Sequence, residues 1–198
     1  NISDQALSIL AHLHISRDTI RESILLGEKQ GAIFESLVKI MQRRNNDESR
    51  TYAIGFMKLL VEQVTGFSFR VEHFIEIVQL LKDNVSPKAS KAALKILTLA
   101  SQWGRNRDRA VESGAVHVLV NMLLESKEKI LSVMVLCVLD TLCACAEGRA
   151  ELLSHGAGLA VVSKTILRVS HYARENGIHV WYAIAEFSGG VVVVTAEV

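Results

Sequence analysis

Val135-Leu136-Cys137-Val138-Leu139-Asp140-Thr141-Leu142 shares its pattern of apolar and variable positions with three earlier stretches of the chain. These are Ala6-Leu7-Ser8-Ile9-Leu10-Ala11-His12-Leu13, Ala53-Ile54-Gly55-Phe56-Met57-Lys58-Leu59-Leu60 and Ala93-Leu94-Lys95-Ile96-Leu97-Thr98-Leu99-Ala100. Each reads small or branched, apolar, variable, apolar, apolar, variable, variable, then apolar or small. The copies begin at residues 6, 53, 93 and 135, so they are spaced by 47, 40 and 42 residues. Apolar residues at three- and four-residue steps mark the buried face of a helix. A spacing of this size marks a chain of stacked units, each too small to bury its own apolar face.

A second marker keeps the rhythm. Gly31-Ala32-Ile33, Gly114-Ala115-Val116 and Gly156-Ala157-Gly158 begin 83 and then 42 residues apart. Around the last two, Arg107 to Ala115 overlays Arg149 to Ala157. The glycine is expected to stop a short helix in a conformation that penalises Cβ, with the next helix, such as Ala115 to Leu124, starting at once. A marker is missing where one is due: Gly66-Phe67-Ser68-Phe69-Arg70-Val71 stands there, so that unit is degenerate. Short, medium and long helices at this period are the armadillo or HEAT signature. The expected architecture is all-α, a right-handed superhelical solenoid of about four to five armadillo repeats over residues 1–190. A partial unit, Ile178 to Phe187, closes it, and residues 191–198 form an extended or disordered tail.

The rest of the sequence agrees with helix. The chain holds one proline, Pro87, preceded by Ser86, which suits an N-cap and first helical residue for a segment reaching about Ser101. Lys129 to Cys145 is apolar nearly all round, as a long helix packed on several neighbours requires. Asn45-Asn46-Asp47-Glu48 reads as a solvated loop between two helices.

Composition excludes several classes. The 22 Lys and Arg nearly balance the 21 Asp and Glu, too little positive charge for a general nucleic-acid binder or an electrostatic membrane anchor. No uninterrupted apolar stretch is long enough to span a bilayer. Cys137, Cys143 and Cys145, an odd and clustered set in an apolar segment, suit buried reduced thiols and a cytoplasmic location. Asn1 in place of an initiator Met, with no leader after it, reads as a piece of a longer protein.

No residues assemble a recognisable catalytic, metal or cofactor motif. His12 and His14 fall on different helix faces, and nothing near Asp140 pairs with it, leaving it a surface or capping role. Trp103-Gly104-Arg105-Asn106-Arg107-Asp108-Arg109 sets three arginines beside an indole. Arg105, Arg107 and Arg109 could grip an acidic peptide by bidentate pairing. Equally, the segment could be a helix end, with Gly104 stopping the helix, the arginines offsetting its dipole and Trp103 packed inward. In stacked three-helix units the third helices line a concave groove. The variable positions expected on it or its rim are Ser8, His12, Gly55, Lys58, Lys95, Thr98, Cys137, Asp140 and Thr141.

Between Lys91-Ala92-Ala93-Leu94, the arginine segment and Val111-Glu112-Ser113-Gly114-Ala115-Val116, the chain resembles the armadillo region of plant U-box E3 ubiquitin ligases. Val138 to Leu152 is closer still, and so is His155-Gly156-Ala157-Gly158-Leu159-Ala160-Val161-Val162. The resemblance, strong over Ser86 to Ser170, is to the subgroup in which one short U-box is followed by armadillo repeats. It implies that a U-box recruits the ubiquitin-charged E2 while the repeats bind the protein substrate in their groove, commonly in stress or immune signalling. No U-box is found in this chain, so the chain alone is not expected to transfer ubiquitin.

The competing reading is a non-catalytic armadillo scaffold or adaptor. A nuclear-import adaptor needs Trp and Asn ladders on its third helices to hold basic cargo. Here the motif's third position holds Ser8, Gly55, Lys95 and Cys137, and its seventh His12, Leu59, Leu99 and Thr141, which argues against such cargo.

Overall fold

A computed structural model describes residues 30–63, 67–169 and 171–187. The first motif copy, with Ser8 and His12, and the tail at 191–198 lie outside the described residues. Among the described residues all regular structure is helical, and the chain divides into two compact units after Ala115.

The first unit contains α1 (Gln30–Met41), α2 (Asp47–Gln63), α3 (Val71–Lys82), α4 (Pro87–Ala100) and α5 (Gly104–Glu112). Helix α2 packs on α1 and α4, and α3 packs on α1, α4 and α5. The core is Phe34, Ile54, Met57, Leu60, Phe74, Ile77, Leu94 and Leu97, all fully buried. Each start has a local cause. Ser86 Oγ accepts from Ala89 N at 3.1 Å and Pro87 opens α4, as expected. Asn46 Oδ1 accepts from Ser49 N at 2.9 Å, so Asn46 caps α2. Asp47 and Glu48 thus belong to the first turn of α2 and not to a loop; their charges suit the positive end of the helix dipole. At the end of α3, Asn84 takes the left-handed conformation (φ 50°) that glycine more often supplies.

The missing Gly-Ala marker has a structural explanation. Residues 67–70 form no helix, so no short helix needs stopping there. Phe67 stacks on Phe34 with centroids 4.3 Å apart, and Phe69 meets Phe34 edge-on at 5.4 Å. The segment's polar backbone is satisfied by Asn106 of α5, which is buried. Its Oδ1 accepts from Phe69 N at 3.0 Å, and its Nδ2 donates to Phe67 O at 2.7 Å and Ala100 O at 3.2 Å. An aromatic plug tied to one amide side chain therefore stands where a helix would be.

The second unit contains α6 (Ala115–Glu125), α7 (Lys129–Cys143), α8 (Ala146–Ser154), α9 (Gly158–Arg168) and α10 (His171–Phe187). Helix α7 packs on α8, α9 and α10, and α9 on α8 and α10. Gly114, at φ 80°, ends α5 and admits α6 at Ala115, as its marker role requires. The equivalent Gly156 does not do this, for its φ is not positive and α8 ends through an extended His155. The tight constraint moves to the helix crossings: a Cβ on Gly148 would lie 2.1 Å from Leu142 O at the end of α7.

Candidate substrate-binding face

Three of the four motif copies fall in described helices, and all three are buried in the same register. In α2, α4 and α7 the first, second, fourth, fifth and eighth positions are buried, while the third, sixth and seventh are not. Those three positions, at i, i+3 and i+4, share one face of a helix. In the first unit the face carries Gly55, Lys58 and Leu59 on α2 and Lys95, Thr98 and Leu99 on α4. In the second it carries Cys137, Asp140 and Thr141 on α7.

The polar groups on this face differ in how committed they are. Thr98 Oγ1 donates to Leu94 O at 2.9 Å and Thr141 Oγ1 to Cys137 O at 3.0 Å, so both hydroxyls are turned to their own helix. Lys58 lies 3.7 Å from Glu62 one turn on, whereas Lys95 is exposed. Asp140 is paired after all: its Oδ2 lies 3.4 Å from Nδ1 of His179 on α10. Burial pushes the Asp140 carboxyl above the usual carboxylate range, while the hydrogen bond and charge of His179 pull it back. One turn on, burial above all, then the charges of Asp140 and Cys145, push the Cys143 thiol up to about 12, against the pull of Arg149. A thiol so held is a packing group and not a nucleophile.

The sequence motif marked most of this face but missed part of it. Leu59, 41% exposed, and Leu99 occupy the seventh position and were passed over as apolar. His179 and Tyr182 of α10, both exposed, stand 42 residues after Cys137 and Asp140, so the period itself could have located them. Helix α10 keeps the register only in part, because Ile178, at the second position, is exposed.

The arginine segment is less a patch than expected. Arg107 Nε donates to Ser101 O at 3.2 Å, covering a carbonyl just past α4. Arg109 donates to Ser68 Oγ at 2.9 Å and to Phe69 O, helping to hold the plug. Arg105 is exposed. Gly104 begins α5 and does not end a helix, since α4 has already stopped at Ala100. Trp103, 51% exposed at the N-cap of α5, does not pack inward, because the buried position of that turn is taken by Asn106. The structure does not bring these three arginines together as free groups.

Beside the plug, His73 is buried between two partners. Its Nδ1 accepts from Arg70 N at 3.3 Å and its Nε2 lies 2.8 Å from Glu35 Oε1. Burial first, then the Arg70 charge, lower its pKa to about 4 against the opposing charge of Glu72. The ring is neutral near pH 7, so it donates to Glu35 as a hydrogen bond and not as an ion pair.

No described helix is long and apolar enough to cross a membrane. Among solved structures the chain is similar to a designed armadillo repeat protein in complex with the peptide (KR)4. The match has a TM-score of 0.65 at 17% identity and covers 91% of this chain and 74% of that one. An engineered protein from a structural genomics consortium matches with a TM-score of 0.62 at 18% identity, over 93% and 80%. The likeness identifies the fold as armadillo. Two Arabidopsis thaliana proteins, E3 ubiquitin-protein ligases PUB23 and PUB22, are each 42% identical over 94% of this chain. E3 ubiquitin-protein ligase PUB24 of the same plant is 37% identical over 73% of it. The chain spans 46% and 44% of PUB23 and PUB22, less than half of either relative. The family model for the plant U-box protein ARM repeat region matches residues 1–198, and the chain belongs to that family.

Proposed function

We propose that this chain is the substrate-binding region of a cytoplasmic U-box E3 ubiquitin ligase that directs ubiquitin to target proteins in plant stress or immune signalling. The observation that carries this reading is the matched register of α2, α4 and α7, which presents unburied residues at the same three positions of successive long helices. Relatives named as E3 ubiquitin-protein ligases supply the context. The E2 enzyme binds a U-box outside this chain, and the substrate segment lies along the unburied third-helix face of α2 and α4 in the first unit. The designed protein of similar fold was solved with a basic peptide. This face sets Lys58, Lys95 and the apolar Leu59 and Leu99 toward a ligand, which suits an acidic or apolar segment better.

The test is a fusion of this chain behind a U-box, supplied with ubiquitin, E1, E2 and plant extract. A second fusion carries Leu59→Asp with Lys95→Glu. Autoubiquitination is expected to be equal in both, while at least one extract protein modified by the first is spared by the second. Identical modification of the same proteins at the same rate would remove the face from the reading and leave the scaffold alternative.

A further inference from the structure

A cleft in the second unit, away from the variable positions of the third-helix motif, concentrates positive charge. Lys127, Lys129 and Arg168 line it, approaching from the α6–α7 loop, the first turn of α7 and the last turn of α9. It is a small cleft of about 40 Å³, partly open to solvent, over a floor of the buried Leu123 and Val169. Among the described residues none of the three cations is engaged in an ion pair, and no carboxylate lines the cleft. Helix α7 has no side chain capping its first amides. Ser126 Oγ accepts from Glu128 N at 3.1 Å, which leaves its own hydroxyl proton to donate outward.

We propose that this cleft binds the phosphoryl group of a phosphorylated serine or threonine on a partner protein. A phosphate monoester carries close to two negative charges and several acceptor oxygens, which two ammonium groups and one guanidinium fork can match where a single carboxylate cannot. Ser132 and Thr165, also at the cleft, donate to Glu128 O and Val161 O, so cations and not neutral hydroxyls carry the recognition. A bilayer headgroup is disfavoured by the exposed Glu125 and Glu128 on either side of Lys127, outside the lining of the cleft, which take away the broad positive surface that an anionic bilayer needs. A peptide is favoured by exposed apolar residues adjoining the lining in sequence: Leu124, Ile130 and Leu167, the last 82% exposed.

The test titrates the isotope-labelled 198-residue chain with a short peptide carrying phosphoserine between leucines, followed by amide NMR. The unphosphorylated peptide, inorganic phosphate and phosphatidylserine vesicles are the other arms. Amides at 126–132 and 165–169 are expected to shift with the phosphopeptide and not with its unphosphorylated form. A Lys127→Gln, Arg168→Gln variant, altered only at exposed positions and checked by circular dichroism, is expected to bind about tenfold more weakly. Three results would overturn the proposal: unmoved amides, inorganic phosphate bound as tightly as the phosphopeptide, or unchanged affinity in the variant. Sedimentation with vesicles that the variant loses, without phosphopeptide binding, would replace the partner by a lipid headgroup.

Discussion

The Arg50 guanidinium, 2% exposed in the first turns of α2, donates to the Asp83 carboxylate at the end of α3. It also reaches Asp47 at 3.1 Å, while Arg44 lies 2.7 Å from Glu76 and 3.5 Å from Asp83. Gln79 donates to the second Asp83 oxygen at 2.6 Å. A long-range pair 33 residues apart thus pins the start of one long helix to the end of the next medium one.

Removing Asp83 leaves the buried Arg50 with only the exposed Asp47 as a carboxylate partner. Asp83→Ala is expected to cost about 2 kcal/mol, because the inward half of a buried guanidinium then loses its hydrogen-bonded countercharge. Urea unfolding followed by circular dichroism measures it, and a loss under about 0.5 kcal/mol would mean that water reaches Arg50. Burial raises the Asp83 carboxyl, but hydrogen bonds from Arg50 and Gln79 and the charges of Arg50 and Arg44 hold it net below its ordinary 3.8. Its contribution is therefore full above pH 3.8 and disappears as the pH falls through the lower folded value.

His73 acts in a separate window. With its pKa lowered from 6.5 to about 4, the unfolded chain takes up a proton between those values that the folded chain refuses. Stability should fall as the pH drops from 6.5 toward 4. His73→Gln, which keeps an amide for Arg70 N and Glu35 but cannot titrate, should flatten that part of the curve. Parallel melting-temperature curves for the two proteins would show that the ring protonates normally when folded.

Asn106→Ala leaves Phe69 N, Phe67 O and one bond of Ala100 O without their side-chain partner. The expected loss is about 2 kcal/mol or more, from unsatisfied buried backbone groups. Amide exchange should speed up most at Phe69. A uniform change across the unit would point to general loosening instead.

Two glycines should respond in opposite directions. Gly148→Ala drives a methyl to 2.1 Å from the Leu142 carbonyl oxygen, and at least about 2 kcal/mol is expected to be lost as α7 and α8 part. Gly55, in the middle of α2 with open space around it, should gain about 1 kcal/mol on change to alanine through helix propensity. Thermal melts of both variants decide the signs.

Much of the fold was legible because burial obeys a local rule. The motif named the buried and unburied positions of α2, α4 and α7 without reference to any other part of the chain. What it did not reveal depends on partners far away in sequence. Asp140 looked solitary because His179 is 39 residues distant. Arg109 left both the patch and the helix-end reading open because the carbonyl it covers, Phe69 O, is 40 residues distant. The same holds for residues 67–70, where the lost Gly-Ala marker announced an irregularity but not its replacement. At the unburied positions of α2 and α4, Leu59 and Leu99 were missed because an apolar residue at a variable position looks like core until its exposure is known.

The plug at residues 67–70 also limits how this array could change length. Ordinary repeats can be copied or deleted singly, because each offers its neighbours the same interlocking surfaces. This one cannot. Its rings need Phe34 from the preceding repeat, and its backbone needs Asn106 from the following one. Excising the degenerate repeat would leave both flanking residues facing surfaces never shaped for them, and duplicating it would create a second set of backbone groups with no asparagine to meet them. The three repeats therefore stand or fall together, and a chain lacking or duplicating only the middle one is expected to lose cooperative unfolding of the first unit.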